Sequence, residues 1–318
     1  MNSLKPKVSI IGCGNVGMRY AYALMISGVA RQIVLVDIDK NRLEGEVMDL
    51  SHGAPYISPV EIIAGDYLDI KDSDLVVITA GKKQSPGQSR IELAQDNVRI
   101  FRHIIPKIMK HAPEAIFLVV TNPVDILSYA AYKFSNKNSK KVTGSGTVLD
   151  TARFRFLLAK HCNVDSRNIH AYILGEHGDT EFAVWSRAMI GGVLFKDYCH
   201  ICKNTHRCLQ DKELKKIFIG VRDSAYKIIE RKGETSYGIG LALVRITEAI
   251  LNDENAILPV SSLIEGYLGI NNVYLSLPAV INRNGVREVL KIELSPEEKQ
   301  AFINSAYSLK AIIKKLKL

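Results

Sequence analysis

The stretch GEHGD sets His177 among Glu176, Asp179 and two glycines, Gly175 and Gly178. Histidine is the side chain whose ordinary pKa lies closest to neutral, so it suits proton exchange with a reacting group. The other reading is a polar residue in a glycine turn. A second chemical signal lies in VSIIGCGNVGMRYAYAL, where Gly12, Gly14 and Gly17 form the pattern G-x-G-x-x-G. In this pattern the first glycine permits a tight turn. The second lets a pyrophosphate approach the backbone, and the third lets a helix pack close to a sheet. The N–H groups and positive dipole end of that helix would face the phosphates. Asp37 ends the next apolar run, IVLVDID. A carboxylate there accepts bonds from a ribose and repels a 2′-phosphate, which favours NAD over NADP. A sheet of the same shape that holds no nucleotide is the alternative.

These residues need elements to hold them. Apolar runs at Val8–Ile11, Ile33–Val36, Leu75–Ile78 and Ile116–Val120 read as strands. Between them, Val16, Tyr20, Ala23 and Leu24 recur at helical spacing, as do Val98, Phe101, Ile105 and Ile108. The rhythm predicts a parallel sheet with crossover helices, and continuous apolar strands predict cover on both faces. Past about Gly146 the texture changes. A helix is expected over Leu149–His161, a strand at IHAYIL (Ile169–Leu174), and helices around Lys212–Arg231 and Gly238–Leu251. Asn284-Gly285 between apolar runs signals a hairpin. Phe302, Ala306, Leu309, Ile313 and Leu316 form one stripe of a terminal amphipathic helix. The expected fold is α/β: a Rossmann-like parallel sheet domain over residues 1–145, then a mixed α+β substrate domain over residues 146–318.

The chain has 318 residues, 47% hydrophobic and 24% charged, enough for a large core and against disorder. Its net charge of +9 is spread along the sequence and comes with no nucleic-acid motif, so a nucleic-acid role is not expected. No run approaches the roughly 20 apolar residues of a membrane helix, and MNSLKPKVSIIG lacks the features of a signal peptide. A cytoplasmic protein is expected. Five cysteines, an odd number, fit a reducing compartment. Cys199, Cys202 and Cys208, with His200 and His206, raise the question of zinc. The spacing C-x2-C-x5-C matches no common finger and no second pair follows, so no metal is expected.

Four further stretches stand out: TNPVD (Thr121–Asp125), AGKKQSPGQSR (Ala80–Arg90), LDTARFR (Leu149–Arg155) and KGETSYGIG (Lys232–Gly240). The first two start at strand ends, where ligands of open parallel sheets gather. With the glycine fingerprint and the long stretches GSGTVLDTARFRFLL and HAYILGEHGDTEFAVWS, they make the chain resemble the L-lactate dehydrogenase family, within the lactate/malate dehydrogenase superfamily. The resemblance covers nearly the whole chain. It implies hydride transfer between NADH and pyruvate, giving L-lactate and NAD+.

The resemblance also implies roles. His177 becomes the proton donor, and the base in reverse. Asp150 holds its other ring nitrogen, and such a neighbour raises a histidine pKa. Arg153 clamps the substrate carboxylate with a planar fork that lysine could not reproduce. Thr235 lines the pocket. Asn122 bonds substrate oxygen and cofactor, and the family suggests a cis peptide before Pro123. Arg90 ends a turn-rich lid and stabilises oxyanion charge, an effect worth about 3–4 kcal/mol in the barrier. A solvated surface arginine is the alternative. Gln84 stands where malate dehydrogenases typically carry arginine, so pyruvate is expected rather than a dicarboxylate; Lys82 and Lys83 could serve a dicarboxylate only by swinging inward. Val16, Arg42, Tyr67, Gly81 and Ser145 are further implied cofactor contacts.

Regulation follows by the same route. Bacterial members are often switched by fructose 1,6-bisphosphate at a subunit interface, and Arg155 and His170 match that site. The first strand begins near Val8, without the N-terminal arm of vertebrate relatives. A bacterial-type homotetramer is expected. The alternatives are a malate or other 2-hydroxy-acid dehydrogenase, and a non-catalytic NAD-binding protein.

Overall fold

A computed structural model describes residues 6–84, 87–201 and 211–318. Six parallel strands form its centre: β1 (Lys7–Ile11), β2 (Gln32–Val36), β3 (Glu61–Ala64), β4 (Leu75–Ile78), β5 (Ile116–Val119) and β6 (Val142–Gly144). They lie in the order β3-β2-β1-β4-β5-β6. The order reverses at β1, and the crevice at such a switch point is where doubly wound sheets take ligands.

The side chains explain the layering. In β2, Ile33 and Leu35 join one core while Val34 and Val36 join the other, and β4 and β5 alternate in the same way. A strand that is apolar at every position must bury both faces, and it does. One face packs on α1 (Asn15–Ser27) and the helix Tyr237–Leu251, through Tyr20, Leu24, Leu243 and Ile246. After α2 (Lys40–His52), the other face packs on α3 (Arg90–His111), α4 (Val124–Ser135) and the terminal helix Pro296–Lys315, through Phe101, Ile105, Leu127, Phe302 and Leu309. Each such side chain contributes about 1.5–3 kcal/mol on burial. Both helices from the second half thus cover the sheet of the first.

The sheet itself also crosses between the halves. Gly144 of β6 pairs antiparallel with Ser261 of the long strand Ala256–Tyr267, which continues through Ile270–Asn282 to Gly285–Val289. The expected hairpin forms, with Gly285 as the first residue of the returning strand, opposite Asn282. Its φ of +90° and its close approach to Lys140 leave no room for a β-carbon.

Three features differ from the sequence reading. β3 and β6 are strands that no long apolar run announces; β3 is an edge with Glu61 and Ala64 exposed, and β6 has three residues. The segment IHAYIL is not one strand. Ile169–His170 pairs with Met189–Ile190, whereas Ile173–Leu174 pairs with Phe182–Ala183. The backbone between turns to α5 (Val148–Cys162): Arg155 Nε donates to Ala171 O (3.2 Å), and Ile173 N–H to Thr151 Oγ1 (3.0 Å). The stretch around Lys212–Arg231 is two helices, Asp211–Arg222 and Ser224–Lys232. No helix among the described residues is long and apolar enough to cross a membrane. Cys199 is buried, while Cys202, His206 and Cys208, with Pro86 of the expected lid segment, lie outside the described residues.

Candidate active site

His177 sits on a loop whose backbone is fixed from three directions. Gly175 exchanges both backbone hydrogen bonds with Ser276 of the strand Ile270–Asn282 (3.1 and 2.9 Å). Glu176 N–H donates to Ser305 Oγ of the terminal helix (2.8 Å). His177 N–H donates to Asp125 Oδ2 of α4 (2.8 Å), and Asp125 Oδ1 accepts from Ser261 Oγ (2.6 Å). The imidazole then faces α5. Its Nδ1 lies 2.6 Å from Asp150 Oδ2, and Arg153 Nη1 donates to Asp150 Oδ1 at 2.8 Å. Asp150 and Arg153 are one helical turn apart, so one face of α5 presents both. Asp150 is 3% exposed in its side chain, against 27% for His177.

These desolvated charges tune one another. Burial opposes the charged imidazole, but Asp150, its hydrogen bond, and then Glu181 and Asp125 outweigh it and raise His177 to about 9. Burial also opposes ionisation of Asp150, yet His177 and Arg153 hold it below the ordinary carboxylate range. Asp125 is pushed up to about 6 by burial, against the Ser261 bond, with Glu176 adding to the rise. Asp150 and imidazolium thus form a pair ready to give a proton from the second ring nitrogen.

Arg90 opens α3 behind a capping box of Ser89 and Glu92. It is no solvated surface residue. Its guanidinium pairs with buried Glu176 (2.5 Å), reaches toward Asp179 (3.6 Å) and donates to His177 O (3.3 Å). A β-carbon at Gly178 would collide with it, so the glycine lets Arg90 lie across the histidine loop.

A cavity of about 270 Å³ joins these groups. Gln84, Arg90, Asn122, Asp150, Arg153 and His177 all line it. Asn122 precedes a cis peptide to Pro123, and its carbonyl accepts from buried Asn97 (2.8 Å), which also bonds Lys82 N–H (2.7 Å). Gln84 Nε2 donates to Gln88 O (2.8 Å). Lys82 turns to Asp96 (3.4 Å) and Lys83 is exposed; neither lines the cavity. Thr235 is half-buried ahead of the helix Tyr237–Leu251 and does not line it.

Sequence reasoning missed Glu181, Arg222 and Tyr226 on the wall, and Asp125, Glu176 and Asn97 behind it. Asp125 lies inside TNPVD and Glu176 inside GEHGD, but nothing local marks an acid as buried. Asp150, His177 and Glu181 approach within 4.8 Å, as metal ligands would, but the Arg153 guanidinium on Asp150 disfavours a cation there.

The glycine loop lies at the ends of β1 and β2. Gly12 has φ +99° and a β-carbon there would strike Ala80; one on Gly17 would strike Gly12 O. Gly14 is different, since a β-carbon there meets nothing. No side chain caps α1 and no acid lies in its first turn, where Val16 sits, so its N–H groups stay open to an anion. Asp37 accepts from Cys13 N–H (2.6 Å) and Asp39 N–H (3.1 Å), and a carboxylate has lone pairs left for a ribose. A dinucleotide fits this cradle. Gly81 packs on Thr121, and buried Ser145 donates its N–H to Val119 O (2.8 Å). Tyr67 is half-buried with Lys107 Nζ 5.4 Å from its ring centre. Arg42 pairs on the surface with Glu46 (3.2 Å).

Arg155 and His170 lie near each other along the chain path, since Arg155 bonds the carbonyl of Ala171. His170 is exposed. The Arg155 guanidinium stands 5.6 Å from the centre of the Tyr172 ring.

Comparison with known proteins gives a consistent picture. Residues 6–144 match the lactate/malate dehydrogenase NAD binding domain, and residues 147–317 the alpha/beta C-terminal domain of that family. The chain is 52% identical over 310 residues to an L-lactate dehydrogenase of Thermoanaerobacter, covering 98% of this chain and 99% of that one. It is 51% identical to an L-lactate dehydrogenase of Priestia megaterium over 96% of this chain and 94% of the other. Among solved structures, a lactate dehydrogenase from a Medee basin deep-sea metagenome superposes with a TM-score of 0.95 at 45% identity, covering 99% and 100% of the two chains.

Proposed function

This chain belongs to the lactate/malate dehydrogenase family, and from that premise we propose that it is an NAD-dependent L-lactate dehydrogenase that interconverts pyruvate and L-lactate. The observation that carries the reading is Asp150 bonded at once to His177 and Arg153 on the wall of one cavity. A proton donor and a carboxylate fork there share one anchor.

Gly12, Gly14, Val16 and Gly17 would hold the pyrophosphate of NAD, Asp37 and Arg42 the adenosine, and Tyr67 would flank the adenine. Gly81, Asn122 and Ser145 would border the nicotinamide, which when bound supplies or accepts the hydride. The chain's own groups do the rest. Arg153 takes the substrate carboxylate with the donors that Asp150 leaves unused. His177 keeps Nδ1–H on Asp150 and gives the proton of Nε2 to the substrate's carbonyl oxygen; in reverse the neutral ring accepts it. Arg90 stabilises negative charge growing on that oxygen. Thr235 would border the substrate once the site is filled.

Gln84 favours pyruvate over a dicarboxylate, because a second carboxylate at the Gln84 position would meet a neutral amide instead of a cation. An uncompensated buried charge costs about 3–5 kcal/mol, so pyruvate is expected to be preferred over oxaloacetate by at least roughly 100-fold in kcat/KM. Loss of absorbance at the reduced-nicotinamide band, with the two substrates compared, checks this. A preference for oxaloacetate would overturn it.

We further propose a cytoplasmic homotetramer activated by fructose 1,6-bisphosphate through Arg155 and His170. Paired cationic groups across a two-fold interface suit two phosphates. NADH oxidation titrated with pyruvate, with and without the bisphosphate, tests it. An unchanged pyruvate KM in assembled protein counts against activation.

A further inference from the structure

Glu181 helps to raise the His177 pKa but takes no bonding part in the steps above, yet it lies among the groups that do. It is 6% exposed and lines the cavity. Its carboxyl, the Asp150 carboxylate and the His177 ring lie within 4.8 Å of one another. Asp150 spends its oxygens on His177 and Arg153. Among the described residues, no hydrogen bond reaches the Glu181 carboxyl from a side chain or the backbone. A structural acid at this burial would carry such bonds. This one is left facing the space that a substrate must enter.

That space is to receive another carboxylate, on the reading of the site as a 2-oxo-acid pocket, on which this inference rests. Two carboxylates a few ångströms apart and away from water do not both stay ionised cheaply. We propose that Glu181 makes binding of the substrate anion proton-dependent: with its proton it admits the carboxylate, and without it it repels. It is then a binding group separate from the proton donor His177, and the two must both be protonated for pyruvate to enter productively.

The surrounding charges act in both directions, and burial decides the balance. α5 contributes Asp150 and Arg153, the histidine loop His177 and Asp179, the helix Asp211–Arg222 its Arg222, α3 its Arg90, and α4 its Asp125 behind His177. Burial, then Asp150, push Glu181 up to about 8, against the pull of His177, Arg153 and Arg222. A neutral carboxyl can also donate a hydrogen bond, which an ionised one cannot.

The test is the alkaline limb of the pH profile for pyruvate reduction. With two protons required, log(kcat/KM) falls with a limiting slope of roughly −2; Glu181→Gln, which cannot ionise, brings it to roughly −1. The expected change lies in KM at high pH, with kcat following the single ionisation of His177. Equal slopes in the two proteins overturn the proposal. A protein that turns over no pyruvate at any pH would instead overturn the functional reading. If Glu181→Gln does not fold, calorimetry on the native NADH complex decides. Binding of oxamate, in buffers of different ionisation enthalpy near pH 9.5, is expected to take up about two protons. Uptake of only about one overturns the inference.

Discussion

At the cofactor edge the chain offers mainly backbone, while at the substrate cavity it offers charge. The edge rests on a glycine turn, an uncapped helix end and one carboxylate tied to the loop it serves. Its glycines and the helix end they open are neighbours in sequence. The cavity gathers Asp150 and Arg153 from α5, His177 from a loop, Arg90 from α3 and Asp125 from α4. Here no partner alone sets the state of another. The difference predicts where damage travels: a change at the edge stays local, whereas a change in the cavity passes through shared hydrogen bonds.

The largest effect should follow His177→Asn. Loss of the proton donor is expected to lower pyruvate turnover by about 1,000- to 10,000-fold. NADH affinity, followed by its fluorescence, should move less than about threefold. A large loss of NADH binding would break the separation between the two regions. Next comes Arg153→Lys. It keeps the charge but loses the fork and disturbs the bond to Asp150, so kcat/KM should fall roughly 100-fold or more, again with NADH binding retained.

The glycines sharpen the comparison from the other side. A methyl at Gly14 meets no protein atom, while one at Gly17 strikes the Gly12 carbonyl. Gly14→Ala should therefore leave the melting temperature unchanged and weaken NADH about tenfold, by standing where pyrophosphate approaches. Gly17→Ala should lower the melting temperature by several degrees, about 1–3 kcal/mol of overpacking. Equal melting temperatures for the two would deny that one glycine serves a ligand and the other the fold.

The same division explains what could be seen in the residues beforehand. The glycine fingerprint announces its fold because each glycine answers a local need. The strands at Leu75–Ile78 and Ile116–Val119 announce themselves because burial on both faces demands uninterrupted apolar residues. β6 stays hidden, since a three-residue strand leaves no such run. His177, Asp150 and Arg153 were found through resemblance to a family, for their meeting depends on contacts across 27 positions of chain. Glu181 and Asp125 lie within stretches that stand out, yet their sequence gives them no role. An acid reads as solvent-facing until the fold shows what covers it, and the cover comes from distant segments.

The smallest effect concerns stability against pH, and it separates the regions without any ligand. His177 is raised from 6.5 to about 9 and Glu181 from 4.5 to about 8. In both cases the folded protein binds a proton more tightly than the unfolded chain. The resulting stability is complete below the unfolded value and is lost as pH climbs through the folded one. The windows are about 6.5 to 9 for His177 and about 4.5 to 8 for Glu181. The melting temperature of the ligand-free protein should accordingly fall by a few degrees between about pH 6 and pH 9. Asp150 acts oppositely, since its depressed pKa costs stability only as acid protonates it. His177→Asn should flatten the decline in the upper window and Glu181→Gln in the lower, while Gly14→Ala should leave the whole curve in place. A curve equally flat in the native protein would mean that the cavity charges do not hold their protons in the folded state, and the contrast between an edge of backbone and a pocket of coupled charge would lose its energetic basis.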